Sequence, residues 1–251
     1  MRTVQLLSVA ACLLLGQAHA EQVMVAVAAN FSAASEVLEA EFEAASGHSV
    51  ETALGSSGRF FAQITNGAPF QVFLSADQDK PAALEEAGFA VPGSRFTYAI
   101  GSLVLWSADS NYIGSDGQVL AEGQFERLAI ANPRLAPYGI AAVQVLDRLN
   151  IDAAKRSKII LGENIAQTYQ FVSTGNAELG FVALSQVVAA GRIATGSGWI
   201  VPTQLHEPIR QDAVLLEKGA ASVAAQDFLE FLRSSRGQEI IASFGYRTEE
   251  D

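Results

Sequence analysis

The sequence predicts an α/β fold in two lobes, and three observations carry that expectation. Short apolar runs alternate with helical patterns along almost the whole chain. Hydrophobic residues make up 49% of the 251 residues, yet no stretch reaches the roughly 18 uninterrupted apolar residues of a membrane span. The alternation breaks twice: at an apolar segment over 96–106, and near 199–204, where Pro202 and Pro208 mark a connector. Two such breaks are what a chain needs to leave one sheet, build a second and return.

The elements follow in order. Gln22–Ala28 is apolar and reads as a buried strand. A helix over 31–45 places Phe31, Ala34, Leu38, Phe42 and Ala45 on one face, and Gly47 ends it. Strands are expected at 49–54 and 71–75, with a short helix over 59–65 between them and a helix over 80–87 after them, closed by Gly88. Beyond the apolar segment come strand Leu128–Ala131 and a helix over 140–149 that turns Ala142, Val145, Leu146 and Leu149 inward. A strand at 159–161, a helix over 165–172, strand Leu179–Ala183 and a helix over 185–190 follow. A late strand at 213–216 leads into helices over 222–234 and 237–243.

Residues 1–20 read as an export signal: Arg2, the apolar run 6–15, and the A-x-A cleavage site Ala18-His19-Ala20. A lipoprotein signal ending at Cys12 is the weaker reading, because Leu13-Leu14-Leu15 carry the apolar run past the cysteine. Cys12 is the single cysteine. A mature chain from Glu21 therefore has no disulfide, no thiol nucleophile and no thiolate metal site. The 16 Lys and Arg against 27 Asp and Glu give a net charge of −11. That disfavours nucleic acid and anionic membrane as partners. It also repels anions at long range, so an anion site here must win by local hydrogen bonding.

Four stretches are suited to that: Ala29-Asn30-Phe31-Ser32, Gly55-Ser56-Ser57-Gly58, Ala136-Pro137-Tyr138-Gly139 and Gly162-Glu163-Asn164-Ile165. Each sits where a strand or turn gives way to a helical pattern, and none carries a positive charge. Brought together, four helix starts offer backbone N–H groups and positive dipole ends to one small anion. Burying a dianion costs several kcal/mol per charge unless its oxygens are paired. Charge-assisted hydrogen bonds return roughly 1.5–3 kcal/mol each, so about six or seven donors are needed. Asn30 and Ser57 alone would pass for ordinary helix caps. Tiny neighbours, Ala29 and Ser56, allow closer backbone approach than a cap requires.

Further motifs join these: Val27-Ala28-Ala29-Asn30-Phe31, Asn66-Gly67-Ala68-Pro69, Phe73-Leu74-Ser75-Ala76-Asp77, residues 92–101, Asn132-Pro133 and Gly180-Phe181-Val182-Ala183-Leu184. In this order and spacing, from about residue 21 to the C-terminus, the chain resembles the periplasmic molybdate-binding proteins that serve ATP-driven importers. The resemblance implies a type II periplasmic binding protein fold: two α/β lobes joined by crossing strands, with a ligand cleft between them. The lobes are expected at 21–97 plus 204–251 and at 98–203. It implies ligand contacts from Ala29, Asn30, Ser57, Tyr138 and Ile165, with Ile165 acting through its N–H; Asn164, with Gln167 three residues on, reads from the residues themselves as a structural cap. It further implies molybdate or tungstate as ligand, a membrane permease as partner, a monomer in the periplasm, and neither cofactor nor free metal cation. Two positions depart from common family patterns: Ala29 lacks a hydroxyl, and Ala183 stands where some members have a ligand-binding tyrosine, a role Tyr138 is expected to take.

Other oxyanions are the nearer alternative, since sulfate has the same charge as molybdate and only cavity size separates them. A serine-dependent hydrolase is a remote one. Gly55-Ser56-Ser57-Gly58 is not the G-x-S-x-G elbow, because Arg59 occupies the last position. The candidate bases His48 and His206 sit in no motif and are expected at the surface.

Overall fold

Two five-stranded sheets frame the computed structural model, which describes residues 20–114, 116–189 and 191–248. Cys12 and all but the last residue of the expected export signal lie outside the described residues. The first sheet contains β1 (Gln22–Ala28), β2 (Ser49–Gly55), β3 (Val72–Leu74) and β4 (Phe96–Gly101). The second contains β5 (Leu103–Ser107), β6 (Leu128–Ala131), β7 (Ile159–Gly162) and β8 (Leu179–Ala183). A hairpin of β9 (Val188–Ala189) and β10 (Arg192–Ile193) follows. β11 (Ser197–Ile200) then closes the second sheet, and β12 (Ile209–Leu215) returns to the first. The orders are β2-β1-β3-β12-β4 and β11-β5-β8-β6-β7.

The helices are α1 (Ser32–Ser46), α2 (Ser57–Thr65), α3 (Asp79–Glu86), α4 (Val119–Glu122), α5 (Pro137–Arg148), α6 (Ala153–Arg156), α7 (Ile165–Ser173), α8 (Val223–Arg233) and α9 (Ser235–Ser243). A 3-10 turn, Ala29–Phe31, precedes α1. The sheets are covered on both faces, and strand alternation shows why. In β1, Val23, Val25 and Val27 enter the core under α1 and α8, while Ala26 joins Phe60, Phe73 and Leu84 on the other face. In β5, Leu103 and Leu105 face the core around α5, and Val104 and Trp106 the opposite one.

The first sheet holds on through Gly101, since Ala99, Ile100 and Gly101 all pair with β12, so the crossing falls at Ser102 and not at 97/98. The return path is 201–208, between β11 and β12, and the late strand begins at Ile209. The helix expected over 185–190 is a 3-10 turn, Leu184–Gln186, followed by the β9–β10 hairpin. Gly191, expected to end that helix, sits at φ 75 in the hairpin turn. Ser57 and Gly58 belong to α2, which starts two residues earlier than the expected Arg59.

The arrangement that matters for function is a local symmetry. β1 and β2 are parallel neighbours ending at the paired residues Ala28 and Gly55. β6 and β7 are parallel neighbours ending at the paired residues Ala131 and Gly162. Each of the four strands runs on into a helix start at its C-terminal end, the edge at which open α/β sheets bind ligands.

Candidate functional site: a neutral cavity between four helix starts

The four helix starts converge on one small cavity. Ala28, Ala29, Asn30, Gly55, Ser56, Ser57 and Ala76 line it from the first lobe. Ala136, Pro137, Tyr138, Asn164 and Ile165 line it from the second. No charged side chain is among them. Ala29, Asn30, Ser57, Tyr138 and Ile165, the five expected positions, are thus brought together, and each is at most 4% exposed.

Three of the four starts have no side-chain cap. The residues in the cap position are Ala28, Ser56 and Ala136, and none of them gives a side-chain hydrogen bond to the turn it precedes. Away from the cavity, α6, α8 and α9 are capped through Asp152, Ser222 and Ser234, whereas the cap positions of α3 and α4 make no side-chain bond. The first N–H groups of a helix have no carbonyl upstream to bind, so a buried, uncapped start needs an outside acceptor. Pro137 sharpens this in α5: it has no N–H of its own, which leaves that of Tyr138 as the first donor. The fourth start is capped. Asn164 Oδ1 accepts the Gln167 N–H at 2.9 Å, and Gln167 Oε1 accepts the Glu163 N–H at 2.7 Å. Asn164 is the structural cap expected, and the Ile165 N–H stays free of it.

Ser57 supplies a hydroxyl as well as an N–H. Its Oγ accepts the Ala76 N–H at 2.9 Å, so its own proton is directed elsewhere. The Ser75-Ala76-Asp77 turn that holds Ala76 is tied down in its turn. Ser75 Oγ donates to Asp77 at 3.1 Å, Asp77 is paired with Lys80, and the Ser75 N–H binds the carbonyl of Asp212 at 2.9 Å. Asp212, fully buried, is held by Arg95 at 2.6 Å and by Thr97 at 2.8 Å. Sequence reasoning singled out this turn only as a motif; its pairing with Ser57 is a long-range contact with no local signal.

Asn30 and Tyr138 turn their side chains toward the hinge. Asn30 Nδ2 donates to Gln211 Oε1 at 2.8 Å and to Tyr246 Oη at 3.0 Å. What Asn30 presents to the cavity is therefore its backbone. Tyr138 Oη accepts from Gln211 Nε2 at 3.4 Å and lies where a Cβ on Gly101 would stand, 2.1 Å away. Burial pushes the hydroxyls of Tyr98 and Tyr138 well above the ordinary tyrosine range, so both are neutral. Gln211, Tyr246 and Ser185, none of them anticipated, join the two lobes. Ser185 Oγ donates to the Asn30 carbonyl at 2.8 Å, and Tyr246 Oη donates to the same carbonyl at 2.7 Å.

The two histidines are buried, against expectation. His48 stacks on Phe42 and accepts the Glu21 N–H through Nδ1 at 3.1 Å. His206 lies in the return connector, with Nδ1 2.7 Å from the Glu207 carbonyl and Nε2 without a partner. A loop position in the sequence carries no signal of what folds over it. Neither lines the cavity beside Ser57. At the rim, Arg59 and Glu163 face each other across the cleft at 3.5 Å, both well exposed.

Two α/β sheets, two crossings between them and a buried donor-lined cavity at the strand ends define a two-lobed solute-binding protein of the type II periplasmic class. The chain belongs to the family of bacterial extracellular solute-binding proteins, whose profile matches residues 23–247. It is 54% identical over 229 residues to the "Molybdate-binding protein ModA" of Azotobacter vinelandii, covering 91% of both chains. Its identity to the protein of the same name from Rhodobacter capsulatus is 49% over 232 residues, covering 92% of this chain and 90% of that one. Among solved structures, the periplasmic molybdate-binding protein of Azotobacter vinelandii superposes with a TM-score of 0.87 at 41% identity, covering 90% of this chain and 99% of that one.

Proposed function

We propose that the protein captures molybdate between its lobes in the periplasm and delivers it to the permease of an ATP-driven importer, with tungstate as a second ligand. The observation that carries the reading is the set of uncapped, buried helix starts around a cavity with no charged lining residue. The donors assigned to the anion are the N–H groups of Ala29, Asn30, Ser57, Tyr138 and Ile165, together with the Ser57 hydroxyl. They reach the lower end of the number a buried dianion requires. Relatives of about half identity that carry the name of a molybdate-binding protein support the choice of ion.

The chemistry of the lining also argues against phosphate. At neutral pH phosphate often keeps a proton and needs an acceptor, and no carboxylate lines the cavity. Glu163, the nearest acid in sequence to an assigned donor, is turned to Arg59 at the surface. Capture without catalysis follows from the same set: Ser57 has an N–H donor on its Oγ and no base beside it. One chain supplies every assigned donor, so the reading needs no second copy at the site.

Titration of ligand-stripped protein with molybdate, tungstate, sulfate and phosphate, read by melting temperature and calorimetry, tests the reading. Molybdate and tungstate are expected to raise the melting temperature. A ligand present at a hundredfold its dissociation constant adds about 2.7 kcal/mol. An equal shift from sulfate would sink the assignment.

A further inference from the structure

The lobes meet beside the cavity at Gly58 and Leu135. The Gly58 N–H, in the first turn of α2, donates to the Leu135 carbonyl of the other lobe at 2.9 Å. A Cβ on Gly58 would stand 3.0 Å from both Cα and O of Leu135 and 3.4 Å from its carbonyl carbon. Those are backbone atoms, so no side-chain rotation can make room. The Leu135 turn is also stiff: the N–H groups of Leu135 and Ala136 both bind the Asn132 carbonyl, at 3.0 and 2.9 Å, and Asn132 Oδ1 accepts the Arg134 N–H at 3.0 Å. Gly58 has no positive φ. Its lack of a side chain therefore answers to the facing lobe and not to its own backbone.

We propose that Gly58 is the steric gate of lobe closure: its bare Cα lets α2 dock on the Leu135 carbonyl, and a side chain there holds the lobes apart. The position explains why this contact governs the site. Gly58 follows Ser57, and Leu135 precedes the Ala136–Tyr138 helix start by one residue. Among the contacts between lobes, this hydrogen bond joins the residue after Ser57 to the residue before the α5 helix start, so it bears directly on how far the Ser57 donors stand from the Tyr138 N–H. The neighbouring Arg59–Glu163 pair crosses the same cleft but is largely exposed, and such pairs contribute little. The inference rests on the proposed capture of an oxyanion between the lobes. It adds a positioning residue that need not touch the ligand.

Gly58→Ala and Gly58→Val, compared with wild type, test it through three readouts: ligand-free melting temperature, molybdate affinity by calorimetry, and radius of gyration with and without saturating molybdate. Alanine is the better helix former, so the ligand-free melting temperature of Gly58→Ala is expected to hold or rise. Its molybdate affinity is expected to fall roughly tenfold, the order of a buried hydrogen bond lost or strained. Valine is expected to weaken binding further and to leave the protein expanded when molybdate is present. Gly139→Ala serves as the contrast, because its Cβ would meet the Ala131 carbonyl within one lobe at 2.1 Å and so lowers ligand-free stability instead. Wild-type affinity and compaction in Gly58→Ala would overturn the inference, and that variant decides alone if valine unfolds the lobe. Should wild type ignore molybdate and bind sulfate, the choice of ion fails, and the gate is read with sulfate in the same three measurements.

Discussion

Ser57 shows how much one side chain can be asked to do. Its Oγ is an acceptor for Ala76 on one side, which leaves its proton as a donor on the other. Ser57→Ala removes that donor from a buried dianion, and binding is expected to weaken roughly 10- to 100-fold. Asn164→Ala removes only a cap, so its cost of about 1 kcal/mol is expected in stability, with affinity nearly kept. Calorimetry and melting of the two variants separate these outcomes; equal losses of affinity would contradict the division of roles. His206 is a residue of another kind. Burial lowers its pKa, against the contact with the Glu207 carbonyl, and the charges of Arg148 and Arg247 lower it further. Because the folded pKa lies below the unfolded value, the unfolded chain takes up the proton first as pH falls. Stability from this group is thus complete above about pH 6.5 and is lost as pH drops toward the folded pKa. His206→Gln should flatten the fall of melting temperature as pH drops below about 6.5, and an unchanged slope would count against it.

At the scale of elements, the uncapped helix start is the device on which the proposed binding depends. A side-chain cap would satisfy the orphan N–H groups and stabilise the helix, typically by about 1 kcal/mol. The chain forgoes that gain at Ala28, Ser56 and Ala136 and takes it at Asp152, Ser222 and Ser234. Ala136→Asp restores a cap to α5 and brings a carboxylate to the cavity wall. The ligand-free protein is expected to melt at the same or a higher temperature, while molybdate binding is lost. A variant that still bound molybdate tightly would show that the start of α5 does not face the anion. The elements were legible to different degrees for reasons visible in individual residues. α1 was clear because Ala34, Leu38 and Phe42 repeat at helical spacing and Gly47 closes it at φ 77 with its N–H on the Glu43 carbonyl. The segment 185–190 misled because Gly191 looks the same in sequence whether it ends a helix or turns a hairpin.

Across the whole molecule, the contacts between lobes form a ring around the cavity and the hinge. Gly58 meets Leu135 at one side, Ser185 bonds the Asn30 carbonyl and the Tyr246 hydroxyl at another, and Gln211 reaches Tyr138 at the third. An anion held by donors from both lobes binds this closed arrangement preferentially and shifts the population toward it. Small-angle scattering should therefore record a smaller radius of gyration with molybdate than without; no change, with binding verified in the same sample, would favour a preformed site. Tyr138→Phe keeps the backbone donor and removes the hydroxyl that meets Gln211. It is expected to reduce affinity by less than Ser57→Ala does, within about tenfold, and a loss as large as that of Ser57→Ala would place the hydroxyl on the anion.

The sequence by itself determined the α/β class, the two crossings to within a few residues, and the four strand-to-helix junctions from which the cavity is built. These are local properties: apolar runs of strand length, helical spacing, and small residues where a strand gives way to a helix. It also determined that the site is neutral, since no cation occurs among the residues that later line it. Tertiary structure alone decided which atoms of those residues face inward. Asn30 and Tyr138 were named from sequence, yet their side chains are spent on Gln211 and Tyr246, more than 70 positions away in the chain. Ser57 was named as well, but the Ala76 N–H that orients its hydroxyl comes from a neighbouring strand end. Gly58 was part of a motif whose meaning lay in the opposite lobe. A hydrogen bond between residues distant in sequence leaves no periodicity and no composition behind, so it becomes readable only once the two sheets have brought the partners within about 3 Å.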